Sequence, residues 1–157
     1  MINIHNNIFV GSLNDFNAIY NINTEYDDNS MQIDNTINNQ INNQINYNIQ
    51  LIINCSLNLN NLMIHPNYIN LDINYFDNNS IHILFQVYEL LLAHINNSYN
   101  ILLLCDNGIN NSMCVAMFFC IQYYNMDFNS VYTNIKNLTD IHPYYYYYRL
   151  FNLLKNW

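Results

Sequence analysis

Residues Leu104–Ser112 read LCDNGINNS, and the interpretation of the whole chain depends on this stretch. It follows the unbroken apolar run ILLL and leads into the apolar segment MCVAMFFCIQYY. A continuous apolar run of strand length is typical of a strand buried on both faces of a parallel sheet, and the segment after it has apolar residues at helical spacing. The stretch therefore predicts a buried strand, a tight loop and a helix. The loop holds one of the two glycines in the chain and no cation.

The predicted loop has the features of an anion site. Backbone N–H groups and the helix dipole converge where a strand turns into a helix N-terminus. Gly108 lets the backbone curl without a Cβ clash, Cys105 can act as a nucleophile, and Ser112 can hydrogen-bond the thiolate. The remaining loop residues are Asp106, Asn107, Ile109, Asn110 and Asn111.

Composition and charge exclude several classes of function. The formal net charge is −8, and the only cations are Lys136, Arg149 and Lys155, which argues against a nucleic-acid groove or an anionic membrane surface. The sequence has no signal-peptide pattern and no apolar run of about 20 residues, so we expect an intracellular, cytoplasmic protein without a transmembrane segment. The four cysteines show no paired spacing, and we expect no metal and no cofactor.

Periodicity along the chain predicts an α/β fold with a central, mostly parallel sheet flanked by helices, in one domain spanning residues 1–157. Strands are expected at Asn7–Leu13, Ile49–Ser56 and Tyr68–Ile73 in addition to the run before Cys105. Helices are expected after Gly11, around Ile81–Leu92, after the loop, after the N-cap residue Asp127 and after Pro143. From about residue 24 to 48 the chain repeats INNQ units, which we interpret as a low-complexity insertion.

At this point the residues show a family resemblance. The signature of the cysteine-dependent protein tyrosine phosphatases is Cys-x-x-Gly-x-x-Arg-Ser/Thr, and CDNGINNS resembles it at Cys105, Gly108 and Ser112, with Asn111 in place of the arginine and Leu104 in place of the usual preceding histidine. Several other segments resemble the dual-specificity phosphatases of that superfamily, so the resemblance covers most of the chain. These segments are IFVGSLNDFNAIYN, IQLIINCS, YINLDINYFD, FQVYELLLAHI and IHPYYYYYRLFNLL.

The resemblance implies a phosphate loop at residues 105–112, with Cys105 as nucleophile and an aspartate as general acid. Matching Leu71 and Ile73 to the two apolar strand positions of the family places Tyr75 where that aspartate is expected, and either Asp77 or Asp72 remains a candidate. Asn111 offers no charge and no planar fork for phosphate oxygens, and Asp106 would repel a phosphate dianion.

Three functions remain open at this stage. The first is a catalytically impaired dual-specificity phosphatase-like domain, a pseudophosphatase that binds a phosphoprotein or another protein partner. The second is an active atypical protein tyrosine/serine/threonine phosphatase that forms a cysteinyl-phosphate intermediate. The third is an interaction protein with no link to phosphate. The missing arginine favours the first.

Overall fold

The computed structural model describes residues 1–5, 7–20, 48–56, 67–71, 73, 80–138 and 145–155. Its strands are β1 (Ile2–His5), β2 (Ile8–Ser12), β3 (Ile49–Asn54), β4 (Tyr68–Asn70) and β5 (Asn100–Cys105). Its helices are α1 (Leu13–Tyr20), α2 (Ser80–Asn96), α3 (Asn111–Tyr124), α4 (Phe128–Leu138) and α5 (Tyr145–Lys155). Residues 24–47, nearly all of the predicted insertion, lie outside the described residues.

The strands form one sheet in the order β1-β2-β5-β3-β4. β5 pairs in parallel with both β2 and β3, and β3 pairs in parallel with β4. Only β1 runs antiparallel, on the outer side of β2. The prediction of an α/β fold with a mostly parallel sheet is therefore confirmed, and β5, the strand that leads into the LCDNGINNS loop, is the central one.

Side chains of β5 alternate between two packed layers. Leu102 and Leu104 point to the side covered by α1, where they pack with Phe16. Ile101, Leu103 and Cys105 belong to the larger core on the opposite side, which also contains residues of α2, α3, α4 and α5. Burial on both faces explains why the sequence of this strand is apolar without alternation.

α3 is the helix at the centre of the larger core. Nine consecutive residues, Ser112–Cys120, are buried, so the helix has no polar face until its last turn. It ends at Asn125, whose left-handed backbone (φ 51°) closes the C-terminus with a hydrogen bond from its own N–H to the carbonyl of Ile121. Such a cap is common when Gly or Asn follows a helix.

Two details of the sheet differ from expectation. β1 was not predicted, because Ile2–His5 offers only two alternating apolar residues to a sequence pattern, and it exists through pairing with β2 (Ile2 with Val10). β4 ends at Asn70 rather than at residue 73. Leu71 and Ile73 are nevertheless buried, at 8% and 1% exposure, and the Leu71 N–H donates to the Asn54 carbonyl of β3 at 2.8 Å. The predicted apolar face is therefore present beyond the last residue of β4.

The helix positions largely follow the predicted signals. The predicted N-cap of α4 is confirmed, because the Asp127 carboxylate accepts hydrogen bonds from the backbone N–H of Ser130 at 3.0 Å and from its hydroxyl at 2.6 Å. α2 extends a few residues beyond the predicted apolar positions at its C-terminal end. No helix within the described ranges has both the length and the apolar character needed to cross a membrane.

Candidate phosphate-loop site

The candidate site lies where the central strand ends. Cys105 is the last residue of β5 and α3 begins at Asn111, so five residues make the turn between them. In parallel sheets this carboxyl end is the usual position of a ligand site. Cys105 is 3% exposed, whereas Asp106 and Asn107 are exposed. The thiol therefore lies beneath a polar loop.

Gly108 shapes the loop through its backbone. Its φ is +72°, a conformation that residues with a Cβ rarely adopt, and a Cβ here would lie 2.8 Å from the amide nitrogen of Ser12 and 2.9 Å from the carbonyl carbon of Gly11. The Asp106 carbonyl also accepts a 3.4 Å hydrogen bond from the N–H of Leu13. The loop is thus packed directly on the end of β2, and the only two glycines in the chain meet at this contact.

The thiol of Cys105 has two polar neighbours. Its Sγ lies 2.9 Å from Oγ of Ser112, a hydrogen bond in which either atom can be the donor, and 3.6 Å from Oδ1 of Asn107, which accepts from the thiol. Ser112 is fully buried, so its hydroxyl is held against the sulfur instead of capping the helix. The predicted pairing of Cys105 with Ser112 is present as a direct contact.

Two other thiols lie near Cys105 in the same core. Burial raises the pKa of Cys55 and of Cys114 well above the usual value, and the neighbouring sulfur of Cys105 adds to the rise. Cys55 follows β3 directly and donates its backbone N–H to the Leu104 carbonyl at 2.7 Å. Both thiols are fully buried and remain protonated at neutral pH.

Asn111 connects the loop to strand β3. Its Nδ2 donates a 2.8 Å hydrogen bond to the carbonyl oxygen of Cys55, while its Oδ1 is buried and has no hydrogen-bond partner among the described residues. The Cys55 carbonyl is an acceptor, so it fixes which end of the amide faces it. The sequence has a neutral amide at the position of the family's arginine, and in the structure the donor of this amide is already used by a backbone carbonyl.

Backbone donors remain at the start of α3. The first backbone hydrogen bond of the helix runs from Cys114 N–H to the Asn110 carbonyl at 3.0 Å. The N–H groups of residues 111–113 therefore have no helical acceptor, as expected for a helix N-terminus. Asn110 makes no side-chain cap. The N–H of Ile109, in contrast, donates to Oδ1 of Asn107 at 3.1 Å.

The electrostatic setting of the loop is acidic. Asp106 is the only charged side chain within residues 104–112. Lys136 and Lys155 lie in the last turns of α4 and α5. Leu104, at the position where the family carries histidine, is fully buried against the α1 layer. Within the described parts of the chain, no group of three His, Cys, Asp or Glu side chains is placed to hold a metal ion.

The two candidate general acids, Asp72 and Asp77, lie outside the described residues. Sequence reasoning missed two contacts of the loop, the hydrogen bond from Asn111 to the Cys55 carbonyl and the acceptor role of Asn107. For Asn107 a signal was present, because an asparagine two residues before a backbone N–H commonly bonds to it across a turn.

Comparisons with known proteins identify the fold. No family model matches the chain, and no curated protein matches it. Solved structures do match over nearly the whole chain. Human DUSP28 has a TM-score of 0.69 at 12% identity, covering 99% of this chain and 93% of that chain.

Two further structures give the same picture. A leucine rich repeat and phosphatase domain containing protein from Entamoeba histolytica has a TM-score of 0.65 at 15% identity, covering 99% of this chain and 90% of that one. The human tyrosine phosphatase-like serine/threonine/tyrosine-interacting protein has a TM-score of 0.65 at 13% identity, covering 99% and 95%. The predicted resemblance is confirmed at the level of architecture: the chain has the fold of the dual-specificity phosphatases and related protein tyrosine phosphatases.

Proposed function

We propose that this chain is a degenerate dual-specificity phosphatase-like domain that binds a phosphoprotein weakly and does not hydrolyse it. The observation that carries the proposal is the hydrogen bond from Asn111 Nδ2 to the Cys55 carbonyl. The residue at the arginine position is tied to the neighbouring strand, so it supplies neither a charge nor a free pair of donors to a phosphoryl group.

The loss of the arginine acts mainly on catalysis. Negative charge on the equatorial oxygens of a transferring phosphoryl group needs a preorganised cation, and removing such a cation costs about 10³- to 10⁵-fold in rate. Asp106 adds a carboxylate beside the same position and increases the electrostatic cost. Both effects leave the loop without a charged group that stabilises the transition state.

Weak anion binding is retained by the backbone. The N–H groups of residues 111–113 lack helical acceptors, and Gly108 keeps the loop curled against β2. A helix N-terminus of this kind attracts anions without any side-chain cation. A phosphorylated side chain on a partner protein presents the matching anion. One of the similar structures is the human tyrosine phosphatase-like serine/threonine/tyrosine-interacting protein.

The alternative is an active atypical protein tyrosine/serine/threonine phosphatase. The 2.9 Å contact between Cys105 and Ser112 favours it, because a hydroxyl next to the sulfur stabilises a thiolate nucleophile and a leaving thiolate. In this reading the sulfur bonds to phosphorus while the phosphorus–oxygen bond to the substrate breaks, and the leaving oxygen takes a proton from a general acid, for which Asp77 and Asp72 are the candidates. Water then breaks the sulfur–phosphorus bond, which releases inorganic phosphate and restores the thiolate.

One pair of measurements separates these functions. The unmodified protein is titrated with inorganic phosphate and with phosphotyrosine while its melting temperature is recorded, and hydrolysis of a small aryl phosphate is followed in parallel. At a ligand concentration ten times Kd, binding to the folded state adds about 1.4 kcal/mol, or about 3–6 °C in a domain of this size. We expect such a shift together with no hydrolysis above the Cys105→Ser background.

A designed gain of charge provides the matched control. Asn111→Arg restores the cation and is expected to enlarge the phosphate shift, whereas Asn110→Arg adds the same charge one residue earlier and is expected to give less. Hydrolysis that requires Cys105 in the unmodified protein would establish the active phosphatase instead. No shift in the unmodified protein or in Asn111→Arg would exclude phosphate binding and support an interaction protein without it.

A further inference from the structure

Asn107 brings two groups of the loop to one oxygen atom. Its Oδ1 accepts a hydrogen bond from the backbone N–H of Ile109 at 3.1 Å and another from the thiol of Cys105 at 3.6 Å. The residue itself is exposed. A surface asparagine normally directs its amide to water, whereas this one directs its oxygen back toward the base of the loop.

We infer that the Asn107 side chain is an internal stopper of the loop, which must swing away before any ligand reaches the sulfur of Cys105. The inference rests on the proposed function for the identity of the natural ligand, an anionic phosphoryl group. Its geometric part does not: the carboxamide oxygen already lies within hydrogen-bond reach of the sulfur and of a loop N–H, so a ligand that binds both groups has to displace it.

The chemistry of the amide suits a displaceable stopper. Its oxygen is an acceptor of the same type as a phosphoryl oxygen, but it is uncharged, and hydrogen bonds to an ionised acceptor are roughly twice as strong. A phosphate dianion can therefore take over the Ile109 donor from the amide. The exposed position of Asn107 lets the displaced side chain move into water, where its polar atoms are solvated.

The stopper also makes the loop selective. The hydrogen bond that an incoming ligand makes must be stronger than the Asn107 hydrogen bond that it replaces. An uncharged acceptor therefore gains nothing, because it replaces one neutral acceptor with another. Anionic acceptors gain the charge-assisted part of the interaction. Asn107 is thus a specificity-determining residue that favours charged ligands in a loop whose own side chains lack a cation.

The test uses the full chain with Asn107→Ala, Asn107→Asp and the control Asn137→Ala, since Asn137 is an exposed asparagine of α4 outside the loop. The first readout is the alkylation rate of Cys105 by iodoacetamide, in which the thiolate displaces iodide and forms a thioether, followed peptide by peptide by mass spectrometry. Cys55 and Cys114, which stay protonated because burial raises their pKa, serve as internal references. The second readout is the Kd of inorganic phosphate from melting-temperature titrations.

We expect Asn107→Ala to speed alkylation of Cys105 about fivefold and to lower the phosphate Kd about fivefold, the equivalent of one net hydrogen bond. Asn107→Asp keeps the acceptor but adds a charge, so alkylation should slow and phosphate binding should be lost. Asn137→Ala should change neither quantity.

The outcomes distinguish the two levels of the argument. If Asn107→Ala lowers the melting temperature but leaves alkylation and phosphate affinity unchanged, Asn107 only braces the turn and the inference is overturned. If alkylation rises as expected while no variant binds phosphate, the stopper is supported and the proposed phosphate binding is rejected. If phosphate binds the unmodified protein and Asn107→Ala equally well with equal alkylation rates, the proposed function stands without the stopper.

Discussion

Replacing Gly108 with alanine places a methyl group at the contact between the loop and the end of β2. The new Cβ would lie 2.8 Å from the Ser12 nitrogen and 2.9 Å from the Gly11 carbonyl carbon, and both are backbone atoms that cannot rotate away. The φ of +72° adds the cost of a left-handed conformation, about 1–2 kcal/mol. The backbone shift that is needed to relieve this overpacked contact costs about 1–3 kcal/mol more.

The combined loss of stability is therefore about 3 kcal/mol. In a domain of this size each kcal/mol lowers the melting temperature by about 2–4 °C, so we expect a fall of about 6–12 °C. Urea denaturation with intrinsic tyrosine and tryptophan fluorescence measures the free energy of unfolding directly. The phosphate titration described above should also lose its shift, since the loop must move to accept the methyl group.

Two companion variants separate the causes. Gly11→Ala is the matched control, because its nearest neighbours are side-chain atoms of Leu102 at 3.1 Å and Asp15 at 3.3 Å and its φ is not in the left-handed range. It should cost less than about 1.5 kcal/mol. Gly108→Asn tolerates positive φ but carries the same Cβ, so it should avoid most of the φ cost and keep the steric cost of about 1–3 kcal/mol. Equal losses for Gly108→Ala and Gly11→Ala would refute the steric argument.

Three further predictions concern the fold around the site. Burial raises the pKa of Cys55 and Cys114 well above the usual value and that of Cys120 to about 11. The stability contributed by protonated thiols is complete below the unfolded pKa near 9.0 and is lost as the pH rises through the folded values. The free energy of unfolding should therefore decrease above pH 9, less steeply in Cys120→Ala; a flat profile would contradict this. Asn54→Ala removes three hydrogen bonds of a fully buried amide and should cost about 3 kcal/mol in urea denaturation, so a loss below about 1 kcal/mol would show that the site relaxes. Asp127→Ala removes the cap of α4 and should lower the free energy of unfolding by about 1 kcal/mol. Asp127→Asn keeps a capping side chain and should lose much less; equal losses in both variants would argue against capping.

The architecture was readable from the sequence because its strongest signals are local. The apolar run before Cys105 predicts a strand buried on both faces, and the alternation of buried side chains between two layers explains that run. The residues around Ile81–Leu92 repeat at helical spacing and form α2. Each of these signals is contained in one segment and does not depend on distant parts of the chain.

The chemistry of the site depends on contacts that a local pattern does not contain. Asn111 looks like a free amide in the sequence, yet its donor is used by the carbonyl of Cys55, 56 positions away in the chain. β1 is similar, because its four residues become a strand only through their pairing with β2. The sequence indicates which residues lie in the loop around the sulfur. The tertiary structure is needed to see which of their hydrogen-bond donors are already used.

The central place of β5 has a consequence for the order in which the protein can fold during synthesis. Among the strands that the structure describes, β1 pairs only with β2, and β4 only with β3, so before β5 is made these strands form two separate two-stranded ribbons. A two-stranded ribbon is marginally stable in water, and pairing between distant segments is slow. The ribosome must therefore release the chain as far as Cys105 before the halves join, and until then the edges of β2 and β3 that pair with β5, at Ile8 and Ile52, have no partner strand.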